Sequence, residues 1–236
     1  MKVGFIGLGR MGLALASHLL RNDVELVVHD LAAAPVDQLA ALGAARAASV
    51  QALASRVDLV FTMLPGPKQA REVILGATGV LAGLKPGAFL VELSTIDTDT
   101  VDALAQAARE KGVRFADAPV GRLAAHADRG ESLFMLGAEE ADRAALEPVL
   151  LKMGSTVLHC GAPGAGTRMK LINNLMVLCY CQINSEALVL AKSLGLDVRK
   201  TFDVLTGTTA SNGQLKEKWP VKVLKGDLTP GFDMAL

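Results

Sequence analysis

With 236 residues, 51% of them hydrophobic, the chain is long enough to bury a substantial core, which excludes intrinsic disorder. Lys and Arg total 24 and Asp and Glu total 24, so no global field draws the protein onto nucleic acid or membrane, and a small-molecule partner is expected. The three cysteines, Cys160, Cys179 and Cys181, fit neither an even disulfide framework nor a Cys-x-x-Cys spacing, and a reducing cytoplasm is the expected compartment.

Taken in chain order, Met1-Lys2 and the apolar residues after it imitate the opening of a signal peptide. Glycines interrupt that run and no small-residue cleavage site follows, so no leader is expected. Short apolar runs predict strands over 3–6, 25–29, 59–62, 88–92 and 114–117. The amphipathic stretches between them predict helices over 11–20, 68–75 and 98–111, the last two entered through Pro67 and the capping pair Asp97 and Thr98. This alternation of strand and helix predicts a doubly wound parallel sheet. Further strands over 132–137 and 156–159, with a helix over 139–150 between them, are expected to extend the sheet at its edge.

The glycine-rich run from Gly161 to Gly166 reads as a hinge, and the absence of Pro and Gly from there to Gly195 predicts one long helix beginning near Thr167. The helix is apolar, but Asn173, Asn174, Gln182, Asn184, Ser185 and Glu186 interrupt it. That is costly in lipid, so the expectation is a helix buried between protein surfaces, with Cys179 and Cys181 in the core. The fold class that follows is α/β, an N-terminal doubly wound Rossmann domain over 1–162 joined by the long helix to an all-α C-terminal domain over 163–236. Helices are expected near Val198 to Leu205 and around Trp219. The second domain is expected to be truncated, because no closing element precedes Leu236.

Gly7-Leu8-Gly9-Arg10-Met11-Gly12 fits G-x-G-x-x-G, a weak motif alone in a chain with 23 glycines. Here it follows a predicted strand, opens a predicted helix and is followed after about 20 residues by Asp30 at the end of the next strand, the full context of a dinucleotide site. Gly7 permits the tight turn, Gly9 lets the backbone approach a pyrophosphate, and Gly12 lets helix and strand pack closely. Asp30 suits the adenosine ribose hydroxyls and repels a 2′-phosphate, which favours NAD over NADP, although Arg10 is a basic residue nearby. Met63, Leu64 and Pro65, and then Ser94 and Thr95, sit at carboxyl ends of predicted strands and are expected at the nicotinamide half. The alternative is a glycine turn that binds no nucleotide.

The segments Phe5 to Gly12, Asp117-Ala118-Pro119-Val120, Gly161 to Gly166 and Lys170-Leu171-Ile172-Asn173-Asn174 together resemble the β-hydroxyacid dehydrogenase family over essentially the whole chain. The resemblance implies a lysine general acid, and Lys170 occupies its place. The chemistry agrees, since hydride delivery to a carbonyl leaves an alkoxide that a nearby ammonium can protonate. Asn174, one turn later on the same face, is positioned to orient the substrate oxygen, with Asn173 contributing from the flank. Against this stands the plain reading of Lys170 as an exposed lysine near a helix start.

After Val120 the chain departs from the family's Ser-Gly-Gly and has Gly121-Arg122-Leu123. An arginine fork binds an oxyanion through two parallel hydrogen bonds, which makes a plain 3-hydroxyisobutyrate substrate doubtful. The segments Pro119 to Arg122, Lys170 to Asn174, Trp219-Pro220 and Gly226-Asp227-Leu228 resemble the 3-sulfolactaldehyde-reducing branch of the family. That resemblance implies NADH as cofactor, with Gly121, Arg122 and the turn Asn173, Asn174, Leu175, Met176 and Val177 around the sulfonate end. Reduction of methylmalonate or tartronate semialdehyde remains an alternative, as do an NAD-binding sensor and, for Arg122, a surface ion pair with Asp128 or Glu131. His18, His29, His126 and His159 have no metal-ligand spacing, and no metal is implied. The family's further helices would carry a lysine that closes the cofactor site, and Phe232 is the candidate remnant of that wall. A homo-oligomer is expected to cover the apolar helix.

Overall fold

The computed structural model describes residues 1–227 and 229, so Leu228 and Phe232 lie outside the described residues. The chain divides into two compact units, one formed by Met1–Lys170 and another that begins at Leu171.

The first unit runs β1 (Val3–Ile6), α1 (Arg10–Arg21), β2 (Leu26–His29), α2 (Ala33–Ala41), β3 (Ala45–Arg46), α3 (Val50–Ala54) and β4 (Leu59–Thr62). It continues through α4 (Pro67–Leu75), α5 (Val80–Gly83), β5 (Phe89–Glu92), α6 (Thr98–Glu110), β6 (Arg114–Asp117), β7 (Val120–Gly121) and α7 (Ala124–Asp128). It closes with β8 (Ser132–Gly137), α8 (Glu140–Leu150), β9 (Gly154–Gly161) and the first turns of α9 (Ala165–Ser193).

Strands β1, β4 and β5 are buried at every position, as apolar runs covered on both faces by helices must be. The sheet order is β3-β2-β1-β4-β5-β6-β8-β7, with β9 paired to β8, and all neighbours from β3 to β6 are parallel. Strand β8 is antiparallel to β6 and β7 and parallel to β9, so the edge extension is mixed. Leu15, Leu19, Leu39 and Leu146 from α1, α2 and α8 pack on one face, around Phe5, Phe61 and Phe134. Leu53, Ile74, Val80 and Leu104 from α3, α4, α5 and α6 pack on the other, around Val60 and Leu90. The direction of winding reverses between β1 and β4, where an open α/β sheet presents a crevice at its strand ends.

Helix starts follow local chemistry. Asp97 accepts the Thr100 N–H at 2.7 Å at the start of α6, and Pro67 takes the first position of α4, where its missing N–H has no intrahelical partner to lose.

The run from Gly161 to Gly166 is not a free hinge. The Gly161 carbonyl accepts the Ala138 N–H at 2.9 Å, and a Cβ at Gly166 would collide with the Met135 carbonyl, so the glycines permit close packing against β8. The start of α9 is fixed on the sheet as a result.

In the second unit, α9 is followed by α10 (Val198–Gly207) and α11 (Gly213–Lys218). Buried Asn184 and half-buried Asn212 exchange two side-chain hydrogen bonds, at 3.0 and 2.9 Å, and Asn212 also accepts the Leu215 N–H that opens α11. Helix α9 passes the length and composition test for a membrane span, with a mean hydropathy of 1.2. Its own chain leaves this helix largely uncovered: Leu175 and Val189 are 62% and 71% exposed, and Cys179 is exposed where a core position was expected. Continuous apolar composition cannot distinguish a helix covered within its own chain from one whose face is left open.

Candidate active site

The glycine loop joins β1 to α1. Gly7 has φ 91°, and a Cβ there would strike the Met63 carbonyl oxygen, while a Cβ at Gly12 would strike the carbonyl of Gly7. Gly9 differs, because nothing lies within 4 Å of the place its Cβ would occupy. It precedes α1 with no side-chain cap, so the first N–H groups of the helix are left for an anion that approaches the bare backbone. These features fit a dinucleotide pyrophosphate.

Asp30 follows β2 and holds the loop from the other side. Its carboxylate accepts the Leu8 N–H and, at 2.7 Å, the Ala32 N–H, which fixes the acid beside the glycine turn. Arg10 is turned away into a bidentate pair with Asp128, one bond measuring 2.7 Å, and the paired carboxylate raises the guanidinium above its already high range. A role for Arg10 side-chain charge at a 2′-phosphate would require breaking that pair. Met11 is half-buried and packs against the core.

The loops after β4 and β5 meet beside Gly7. The Met63 N–H donates to the Ile6 carbonyl at 2.9 Å, and the Leu64 N–H donates to Ser94 Oγ at 2.7 Å. Pro65 and Thr95 are exposed at the tips. Beneath them lies fully buried Glu92, which accepts Ser94 N–H at 2.7 Å and the Thr62 hydroxyl at 2.6 Å. Burial pushes its carboxyl above the usual range, against the opposing pull of those donors.

A second buried acid organises the other end of the site. Asp117, the last residue of β6, accepts the Gly164 N–H at 2.6 Å and the Thr167 N–H, and so caps the start of α9. Burial raises its carboxyl too. Three residues after Thr167, the Lys170 Nζ donates to the Val120 carbonyl at 2.7 Å. The segment from Asp117 to Val120 thus grips the same helix at two points. Lys170 is half-buried, and burial holds its ammonium below the usual lysine range. One of its three donors is engaged by Val120, leaving two for a ligand.

Farther along α9, Asn173 Nδ2 donates to Asn174 Oδ1 at 3.3 Å; both side chains are half-buried, as is Val177, while Leu175 and Met176 are exposed. Gly121 is buried in β7, its ideal Cβ position 3.3 Å from the Leu133 side chain. Arg122 has φ 70°, a left-handed conformation natural to glycine and unusual for any other residue. Its fork donates to the Glu131 carbonyl, to Ser155 Oγ at 2.9 Å and to Thr156 Oγ1 at 3.4 Å. Neither Asp128 nor the Glu131 carboxylate is its partner, since these pair with Arg10 and Arg129.

Residues 2–161 match a family described as the NAD binding domain of 6-phosphogluconate dehydrogenase, and residues 164–236 one described as the NAD-binding domain of NADP-dependent 3-hydroxyisobutyrate dehydrogenase. The chain is 40% identical to 3-sulfolactaldehyde reductase of Escherichia coli over 98% of its own length and 77% of that protein. The chain belongs to the β-hydroxyacid dehydrogenase family.

This dehydrogenase is therefore an NAD(P)-dependent oxidoreductase acting on CH–OH groups. It is also 34% identical to 2-(hydroxymethyl)glutarate dehydrogenase of Eubacterium barkeri, over the whole chain and 78% of that protein. A solved 3-hydroxyisobutyrate dehydrogenase of Mycobacterium tuberculosis superposes with a TM-score of 0.83 at 34% identity, over 92% of this chain and 73% of that one. The structural roles of Glu92 and Asp117 escaped the sequence reading; the available signal was an acid ending an otherwise apolar strand.

Proposed function

We propose that this dehydrogenase reduces a small aldehyde bearing an acid group, with Lys170 as proton donor and 3-sulfolactaldehyde as substrate. The observation that carries the reading is Lys170 itself, half-buried, held by Val120 and lowered in pKa by burial, as a proton-transfer group working near neutral pH requires. Bound NADH supplies the hydride to the carbonyl carbon. The Lys170 ammonium gives a proton to the carbonyl oxygen as negative charge develops there, which yields the primary alcohol 2,3-dihydroxypropane-1-sulfonate. Asn174 orients that oxygen, and Gly121, Arg122 and the Asn173 to Val177 turn receive the sulfonate. Asp30 accepts the ribose hydroxyls and selects NAD over NADP.

The substrate assignment draws on the 40% identity to a 3-sulfolactaldehyde reductase and on Arg122. A second reading, a carboxylate substrate such as methylmalonate or tartronate semialdehyde, is favoured by one observation: both terminal nitrogens of Arg122 already have protein acceptors. NADH oxidation followed in parallel with the three aldehydes tests both. Turnover confined to the sulfonate supports the first reading, and equal or better turnover of a carboxylate replaces it. The exposed apolar face of α9 supports a homo-oligomer, to be checked by light scattering, and the three free cysteines are consistent with a reducing cytoplasm.

A further inference from the structure

Glu92 is the last residue of β5, flanked in register by Thr62 of β4 and Asp117 of β6, and has no exposed surface. A carboxylate placed there is desolvated, and an apolar side chain would satisfy the core without that penalty. Its retention needs a reason beyond packing.

The hydrogen bonds supply one. Each carboxyl oxygen of Glu92 receives one donor, so the side chain links two neighbouring strands at their ends. The Thr62 hydroxyl points at one oxygen of Glu92 and the Ser94 N–H at the other, so the acid holds the backbone of Ser94 in place. From the same residue, Ser94 Oγ accepts the Leu64 N–H at 2.7 Å. The chain Leu64 N–H to Ser94 to Glu92 ties the loop after β4 to the loop after β5. The Met63 carbonyl in turn lies against Gly7, so three loops at the carboxyl ends of β1, β4 and β5 form one rigid edge.

We propose that Glu92 is a positioning residue for the nicotinamide half of the cofactor, acting through Ser94 and Leu64. The inference rests on the reading that the Met63 to Pro65 and Ser94 to Thr95 loops contact that half. The reason for this reading is position: the pyrophosphate belongs at the start of α1, Asp30 on the β2 side takes the adenosine ribose, and the rest of the cofactor extends toward β4 and β5.

ADP-ribose lacks the nicotinamide and serves as the internal control, its affinity measured by calorimetry beside that of NADH. In Glu92→Gln one oxygen acceptor becomes a donor, one of the two bonds that tie Ser94 and Thr62 to this residue is lost, and NADH affinity is expected to fall about ten-fold while ADP-ribose stays within about two-fold. Ser94→Ala, which removes the acceptor for Leu64 without touching the buried acid, is expected to show the same pattern and serves if Glu92→Gln does not fold. Equal weakening of both ligands, or no change in either, overturns the proposal. Thr95→Trp separates this failure from failure of the loop reading. If Thr95→Trp impairs NADH alone while Glu92→Gln does not, only the role of Glu92 is wrong. If Thr95→Trp leaves both affinities unchanged, the loops do not contact the nicotinamide half and the proposal falls with that reading.

Discussion

The Asp117 carboxylate caps the helix that carries Lys170: it accepts the Thr167 N–H, three residues before the lysine, and the Gly164 N–H beside it. The position of the lysine ammonium is thereby referred to the end of β6, and not to a flexible linker. Replacing Asp117 with Ala leaves buried N–H groups without an acceptor, so stability is expected to fall by about 2 kcal/mol. Turnover should fall with it while NADH affinity is retained. Urea unfolding beside steady-state kinetics checks both.

With Lys170 as the proposed proton donor, the pH profile carries its ionisation. Reduction requires the ammonium, so the reductive rate is expected to fall as pH rises through a value below the ordinary lysine range, whereas oxidation of the alcohol requires the neutral amine and rises over the same interval. Lys170→Ala should remove the ionisation from both profiles and cost roughly a hundredfold in kcat. Profiles recorded in both directions decide whether one group is responsible.

The proposed role of Asp30 in cofactor choice is open to direct test. Asp30→Ala removes the ribose acceptor and the negative charge together, so NADH affinity is expected to fall and the preference over NADPH to narrow, by about ten-fold in the ratio. Paired titrations with the two cofactors give that ratio directly.

Arg122 sits in a left-handed conformation that costs on the order of 1 kcal/mol for a residue with a Cβ. Arg122→Gly relieves that strain and forfeits exposed hydrogen bonds of similar worth, so stability is expected to stay within about 1 kcal/mol. Loss of sulfonate turnover in this stable variant, with carboxylate aldehydes affected less, would assign the fork to the substrate. Thermal unfolding and the aldehyde panel provide the two readouts.

The buried acids predict a pH dependence of folding. Burial raises the Glu92 carboxyl above the ordinary glutamate value of 4.5, so the folded state holds the proton more tightly than the unfolded chain does. Stability from this group is present below 4.5 and is lost as pH rises through the raised folded value. In Glu92→Gln that decline should be smaller, a difference visible in denaturant midpoints measured between pH 4 and 7.

The sequence was legible where burial is two-sided and strong. The runs 3–6, 59–62, 114–117 and 132–137 coincide with β1, β4, β6 and β8, and the glycine loop, Asp30 and the ends of β4 and β5 fall where the fingerprint placed them. Helix α2 and strand β3 were not predicted, since alanine-rich segments lack the contrast that periodicity needs and two-residue strands have no period. Helix α7 is likewise not legible, since five residues, three of them alanine, are too short to show a period. Glycines at 161–166 signalled backbone freedom, whereas here they permit contact, because Gly166 is needed against Met135 and Asp117. Whether Glu92 and Asp117 are solvated or sealed depends on which strands lie beside them, and that information is long-range.

The paired amides of Asn184 and Asn212 act as an alignment pin for the second unit. Moving α11 along α9 by a single turn would break both amide bonds, and Asn184 is buried, so sliding is opposed. Leucine at both positions would remove this directional pairing, and with it the cap that Asn212 gives the Leu215 N–H. The polar pair thus contributes uniqueness, and the helices of this unit are held to one registration.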